Sequence, residues 1–233
     1  MKTTAVIVAA GSSTRMGGQI SKQFISLNGT PAIVHTLRAF QQAQSIDSIA
    51  VVCRKTDISD IERLSGENGI TKLTAVAEGG STRQQSVKNG AALAQGADFI
   101  AIHDGARPLV TPQEIDKVVA DAQKHGAAAL GVQVKDTIKV VDNNGFILST
   151  PNRSSLIAIY TPQVFKTDMY MQAMKKAEED NKDYTDDCQL VEAINHKIYM
   201  TTGDYTNLKI TTPEDIAIAE ILLKRREKEE TIC

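Results

Sequence analysis

The sequence predicts an α/β fold in which a mostly parallel sheet carries helices on both faces. Two observations predict it. Short, nearly continuous apolar runs recur through the first half of the chain, as strands buried on both faces require. Between them lie amphipathic segments with helix-start signals, which gives the β-α-β-α order of a wound parallel sheet.

The strand candidates are residues 5–10, 49–53, 73–76, 99–103 and 127–134. Thr30-Pro31 opens a helix whose Ile33, Val34, Leu37 and Phe40 share a face. Asp57 is placed to cap a second helix carrying Ile58, Ile61 and Leu64. Thr111-Pro112-Gln113-Glu114 joins a capping box to a proline at the first helical position, ahead of Ile115, Val118 and Val119. From Asp136 to Arg153 the rhythm breaks. Thr137-Ile138-Lys139-Val140-Val141, the turn Asp142-Asn143-Asn144-Gly145, and Phe146-Ile147-Leu148 read as a β-hairpin, either an edge decoration or an arm that reaches a partner. Thr212-Pro213-Glu214-Asp215 starts a last helix with Ile216, Ala219 and Leu223 on one side, and the mixed-charge run 224–230 reads as its solvated end. No repeat or low-complexity linker divides the 233 residues, so they read as one domain, 1–233, with a β-arm at about 136–153.

Composition narrows the function classes. A net charge of −2 with acids and bases intermixed lacks the clustered basic excess of a nucleic-acid footprint. The apolar stretch 5–10 is too short for a signal-peptide core or a membrane span, which points to a soluble, cytoplasmic protein that contacts no membrane. Cys53, Cys188 and Cys233 are scattered and odd in number, with neither disulfide nor metal-ligand spacing. Cys53 ends an apolar run, as a buried thiol does.

Three segments carry chemistry. In the first, an apolar strand runs into Ala9-Ala10-Gly11-Ser12-Ser13-Thr14-Arg15-Met16-Gly17, followed by Lys22-Gln23-Phe24. Small side chains admit phosphate oxygens to backbone N–H groups, and Arg15 and Lys22 are cations that can offset developing charge. The spacing is neither that of a Walker A loop nor that of GxGxxG. In the second, Glu78-Gly79-Gly80-Ser81-Thr82-Arg83-Gln84-Gln85-Ser86-Val87, a glycine pair precedes a helix that Ser81 can cap, offering free N–H donors at a positive dipole end. In the third, Ile102-His103-Asp104-Gly105-Ala106-Arg107-Pro108 follows a strand, where open α/β sheets bind ligands. Asp104 there could hold a Mg²⁺ bridging triphosphate oxygens, or serve as a turn residue. His103 reads as structural.

With Lys135-Asp136-Thr137-Ile138-Lys139, Thr161-Pro162-Gln163, Tyr184-Thr185-Asp186-Asp187 and Asn207-Leu208-Lys209-Ile210-Thr211, these segments form an ordered set along the whole chain. In that set the chain resembles the 2-C-methyl-D-erythritol 4-phosphate cytidylyltransferases of isoprenoid-precursor synthesis. The resemblance implies a Rossmann-like, glycosyltransferase-A-like nucleotidyltransferase fold, CTP and a sugar-alcohol phosphate as substrates, and Mg²⁺ or another divalent cation. By the same resemblance Arg15 and Lys22 stabilise charge at the CTP phosphates, while Arg153 and Lys209 hold the sugar phosphate for attack. Ala9, Ala10, Gly11, Gly80, Ser86, Asp104 and Gly105 match CTP contacts, with Asp104 the metal ligand. Thr137, Thr161 and Arg107 match the acceptor side, and the hairpin matches a homodimerisation arm.

The chain departs from the family's pattern at Ser21, where proline is usual, at Leu156-Ile157, where Leu-Trp is frequent, and at Tyr160, where Gln is common. Pro151-Asn152-Arg153 is similar to the related ribitol-5-phosphate cytidylyltransferases, whose third segment usually reads His-Asp-Ser-Val-Arg-Pro instead. The expected chemistry needs no general base, because a phosphate monoester is largely dianionic near neutral pH, with a second pKa of about 6. Bringing two polyanions together is the harder problem, so cations and alignment carry the reaction. Two other readings are a ribitol-5-phosphate acceptor and a nucleotide-binding protein without turnover. Retention of both Arg15 and Lys22 speaks against the second.

Overall fold

The computed structural model describes residues 1–11 and 21–232, with side chains through Glu229. Its first half contains β1 (Thr3–Ala9), β2 (Ser26–Leu27), β3 (Thr30–Pro31), α1 (Ala32–Gln42), β4 (Ser48–Cys53), α2 (Ile58–Glu67), β5 (Leu73–Glu78), α3 (Arg83–Ala92), β6 (Phe99–Asp104) and α4 (Pro112–His125). There follow β7 (Ala127–Gln133), β8 (Val140–Val141), β9 (Ile147–Ser149), β10 (Ile157–Lys166), α5 (Thr167–Glu179), α6 (Asp187–Glu192), β11 (Tyr199–Thr202) and α7 (Pro213–Ile232).

Seven strands form one sheet in the order β11-β7-β10-β6-β1-β4-β5. All neighbours are parallel except β10, which runs antiparallel to both β6 and β7. The five expected strands are present within a residue or two of their expected ends. Their apolar runs bury both faces by simple alternation. Ala5, Ile7 and Ala9 point into one core with α1, α2 and α4, while Val6 points into the other with α3, α5 and α6. Ile49, Val51 and Cys53 against Val52, and Phe99 and Ala101 against Ile100 and Ile102, repeat the division. A third, smaller core joins Ala219 and Leu223 of α7 to Leu27, Ala32, Leu109 and Ile210.

Helix starts differ in detail from expectation. The Thr111–Glu114 capping box forms as expected. Asp57 precedes α2 but caps nothing with its side chain. Its carboxylate is taken by Arg54, at 2.9 and 3.0 Å, and by Gln23, at 3.2 Å. Thr82, not Ser81, caps α3, accepting from the Gln85 amide at 3.1 Å. The glycine pair makes the close approach that sets this corner. A Cβ on Gly79 would lie 2.4 Å from the Ala10 Cβ, and one on Gly80 would lie 1.8 Å from Gln85 Cγ.

The hairpin is shorter than expected, pairing only Val140–Val141 with Ile147–Ser149. Its turn is built on Asp142, whose carboxylate accepts from the Asn144 and Phe146 amides, with Gly145 at φ 86°. Phe146, Ile147 and Leu148 are 71%, 62% and 64% exposed, so the arm buries little of its apolar surface within this chain. No helix among the described residues is long and apolar enough to cross a membrane.

Candidate active site

Parallel strands deliver their C-terminal ends to one edge of the sheet, and there the three chemical segments meet. Ala9, Ala10 and Gly11 from the end of β1, Gly80 and Ser86 from the corner before α3 and its first turns, and Lys22 and Asp104 line one cavity of about 620 Å³. Ser86 braces the corner, accepting from the Gly80 amide at 3.0 Å and donating to the Thr82 carbonyl at 2.9 Å. The Gly105 amide donates to the Val8 carbonyl at 2.9 Å. Both glycine amides are therefore committed within the protein. Lys22 reaches the Ile210 and Thr211 carbonyls, at 3.4 and 3.3 Å, and so ties the first loop to the segment that carries Lys209. Buried Gln23 anchors that loop to the Ala9 carbonyl. Arg15 lies outside the described residues.

A second cavity of about 910 Å³ adjoins the first and is lined by Arg107, Tyr160, Thr161, Thr185 and Asp186, among others. The two cavities share three lining residues, Arg83, Asp104 and Lys209. Asp104 Oδ2 accepts from Lys209 Nζ at 2.7 Å, and Oδ1 lies 3.3 Å from both Nε and Nη2 of Arg83. Burial alone would raise the Asp104 carboxyl, yet Arg83 and Lys209 override it and hold the group far below the usual carboxylate range. Arg107 is 8% exposed, donates to the Asn207 carbonyl at 2.8 Å and lies 4.4 Å from the Tyr160 ring centroid. Its Nε is buried with no hydrogen-bond partner among the described residues. Burial pulls its pKa down, and the charge of Asp104 opposes that shift only in part.

Behind Asp104 lies a polar support. Its amide donates to Thr161 Oγ1 at 3.1 Å, and that hydroxyl lies 3.0 Å from His103 Nδ1. His103 Nε2 faces the Arg107 carbonyl at 3.1 Å, so the neutral ring with its proton on Nε2 satisfies every partner. Burial lowers the His103 pKa to about 4, which fits its expected structural role. Thr161 lines the second cavity, but its hydroxyl is engaged in this support. A folded pKa below the unfolded value of 6.5 means that the unfolded chain binds the proton more readily. Stability from this group is therefore present above pH 6.5 and drains as pH falls toward 4, by about 3 kcal/mol in all. Urea unfolding across that window should show the loss in the wild-type chain, and His103→Gln should flatten it. Equal slopes in the two proteins would assign the loss to other groups.

Among the remaining expected residues, Gly105, Thr137 and Arg153 border neither cavity. Arg153 is exposed, and its Nη1 donates to the Lys135 carbonyl at 2.7 Å at the base of the arm. Sequence reasoning assigned no role to Arg83, Asp187 or Tyr170, which form a buried extension of the site. Arg83 Nη1 lies 2.7 Å from Asp187 Oδ2, an ion pair not aligned as a hydrogen bond, and Tyr170 donates to Asp187 Oδ1 at 2.6 Å. The signal for Arg83 was its place in the first turn of a helix beside a strand-end glycine pair. Asp187 had only the weaker signal of a second acid after Thr185-Asp186. Cys53 and Cys188 are buried thiols, and burial pushes Cys53 up to about 12, so neither is a nucleophile.

A wound α/β sheet whose strand ends offer a small-residue corner, a cation-rich wall and a second cavity beyond it defines an α/β nucleotidyltransferase. The chain belongs to the 2-C-methyl-D-erythritol 4-phosphate cytidylyltransferase family, whose model matches residues 3–225. It is 42% identical over 222 residues to the protein of that name from Clostridium botulinum (strain Eklund 17B / Type B), covering 95% of this chain and 99% of the relative. The Clostridium novyi (strain NT) protein of the same name is 43% identical over 224 residues, covering 96% and 97%. The crystal structure of 4-diphosphocytidyl-2C-methyl-D-erythritol synthase from Anaerococcus prevotii DSM 20548 superposes with a TM-score of 0.86 at 30% identity, covering 96% of each chain. These matches favour the methylerythritol phosphate reading over the ribitol phosphate one.

Proposed function

We propose that this chain transfers the cytidylyl group of CTP to 2-C-methyl-D-erythritol 4-phosphate, forming 4-diphosphocytidyl-2-C-methyl-D-erythritol and pyrophosphate. The observation that carries the reading is the wall of Arg83, Asp104 and Lys209 common to two cavities. A group passed between two substrates must be reached from both sides of such a wall. The acceptor phosphate oxygen attacks the CTP α-phosphorus, the bond from that phosphorus to the bridging oxygen breaks, and pyrophosphate leaves with the electron pair. No proton need move. Ala9, Ala10, Gly11, Gly80 and Ser86 form the nucleotide side, with Gly105 packed beside Ala9, and Lys22, joined by Arg15 on the family resemblance, offsets charge on the triphosphate. Lys209, Arg107 and Thr161 form the acceptor side. Lys209 can exchange its 2.7 Å contact with Asp104 for the acceptor phosphate, a stronger dianionic partner.

The residues present fit a divalent cation carried by the nucleotide. Among the described residues no three His, Cys, Asp or Glu side chains cluster as a cage, and Mg²⁺ commonly needs only one or two carboxylates when phosphates supply the rest. Asp104 would hold it, since the 3.3 Å approach of Arg83 leaves Oδ1 with spare acceptor capacity. When bound, the ion would neutralise triphosphate charge. We place the enzyme in the cytoplasm as a homodimer whose arms cross. The exposed apolar arm and an Arg153 remote from its own site support that arrangement.

Pyrophosphate release with CTP and Mg²⁺, measured against each acceptor, tests the reading. 2-C-Methyl-D-erythritol 4-phosphate should support turnover and ribitol 5-phosphate should not; the reverse result would transfer the chain to the other acceptor. Replacing CTP by UTP should lower kcat/KM by roughly tenfold or more, because a carbonyl that accepts from the cytosine amino group is left facing an oxygen, a loss of about 1–3 kcal/mol.

A further inference from the structure

We infer that Arg83 is a catalytic residue that contacts the transferring α-phosphoryl group, and that Asp187, held by Tyr170, is its positioning residue. The inference rests on the cytidylyl-transfer reading and adds Arg83 to the cations already named, Lys22, Arg15, Lys209, Arg107 and Arg153. Three observations lead to it. First, Arg83 belongs to the wall between the two cavities, and the α-phosphoryl group is the one part of the substrates that must bond to both sides of that wall. Second, its guanidinium lies between two carboxylates at unequal distances. Nη1 forms a 2.7 Å ion pair with Asp187, held by charge rather than by hydrogen-bond alignment, whereas Nη2 and Nε donate to Asp104 only at 3.3 Å, longer than a usual charge-assisted hydrogen bond. The edge toward the cavities is thus the loosely held one, and a phosphate oxygen can replace Asp104 there without disturbing the anchor. Third, the anchor is built more firmly than neutralising Asp104 requires, since Lys209 already pairs that carboxylate at 2.7 Å. Asp187 is 3% exposed and fully buried Tyr170 donates to it at 2.6 Å. Burial raises the Asp187 pKa, and Arg83 is the cation that opposes the shift.

A buried carboxylate fixed from behind and paired with one end of an arginine fork leaves the other end toward the cavities. That preorganisation suits a group meant to meet charge as it develops. Asp187 also starts α6, whose Cys188 and Gln189 line the second cavity, while Arg83 starts α3, whose Ser86 lines the first; both helices pack on one face of the sheet. The contact therefore binds the two halves of the site to one another.

Because Arg83→Ala alone would leave Asp187 buried without its cation, the test uses Asp187→Asn as the baseline and Arg83→Ala/Asp187→Asn as the probe. Neither protein carries an unpaired buried charge, and both retain a hydrogen-bonding partner for Tyr170. Thermal melts confirm folding, and CTP affinity is measured at equilibrium alongside kcat for the wild-type acceptor. Asp187→Asn should lower kcat severalfold. The double variant should fall by about 10²-fold more, the range for loss of one preorganised donor to developing charge, with CTP affinity changed far less. Added guanidinium ion should restore part of that kcat in the double variant and none in Asp187→Asn, a response that a purely structural arginine would not give. A double variant with the kcat of Asp187→Asn would overturn the catalytic assignment, as would a loss confined to CTP affinity or one that guanidinium leaves untouched. Asp187→Asn with wild-type kcat would overturn the positioning half. These comparisons are made with whichever acceptor the wild-type chain turns over, so a changed acceptor would not be mistaken for failure at Arg83. A wild-type chain inactive with both acceptors would sink the transfer reading instead.

Discussion

Lys22→Ala should lower kcat by about 10²-fold or more while weakening equilibrium CTP binding much less, since a preorganised donor to developing charge is worth about 2.7–4 kcal/mol. The structure supplies the reason for separating the two quantities. Lys22 starts the short 3₁₀ turn Lys22–Phe24, which buried Gln23 fastens to the end of β1, and its ammonium group lies beside the Ile210 and Thr211 carbonyls on the first cavity. In the proposed ground state CTP would be gripped by many groups, including the strand-end backbone, so removing one cation should cost little affinity. During transfer, charge moves onto the departing pyrophosphate, and a cation already fixed beside it is stabilising without further reorganisation. Steady-state kinetics with saturating CTP, paired with calorimetric CTP titration, checks this. Near-normal kcat would remove Lys22 from the transition state. A loss of affinity matching the loss of rate would make it a binding group only.

The parallel half of the sheet was legible because hydrophobic runs such as those ending at Cys53 and His103 are dictated by burial on two faces. The three strand-end segments were legible for the same reason, since a glycine-rich or charged break after such a run falls at the ligand edge. The strand β10 was not. It carries Pro162 in its middle, and proline cannot donate to a ladder, so the pattern argues against a central strand. The structure accommodates it with a register shift between Ile159 and Gln163, and there Thr161 turns its hydroxyl to the Asp104 amide and to His103. Local capping rules also failed where tertiary partners competed. Asp57 had the right type and place for a cap, but Arg54 and Gln23 offered its carboxylate more than the helix end did. Arg83 and Asp187 were invisible as a pair because they stand 104 positions apart in the chain, and only the packing of α6 against the sheet brings them together. Sequence spacing reports neighbours along an element; the ion pair at the wall is a property of the fold.

The most demanding expectation concerns the proposed crossed dimer. Phe146, Ile147 and Leu148 are largely exposed on a two-stranded arm too small to have a core of its own, which calls for a partner surface. Arg153 lies at the arm's base, borders neither cavity of its own chain, and carries the planar fork that binds phosphate bidentately. In a two-fold dimer both arms cross alike, so each site would combine Lys22 of one subunit with Arg153 and Thr137 of the other. Lys22→Ala and Arg153→Ala homodimers should then both be nearly inactive. A mixed dimer would hold one site with both defects and one with neither. Random exchange between equal amounts of the two variants places about half of the dimers in the mixed class, so about a quarter of all sites should regain wild-type activity. Exchange is verified independently by differently tagged subunits that co-purify. Confirmed mixed dimers with no recovered activity would show that Arg153 serves its own chain or has no part in the reaction. A monomer at assay concentration that still turns over CTP would overturn the shared site altogether.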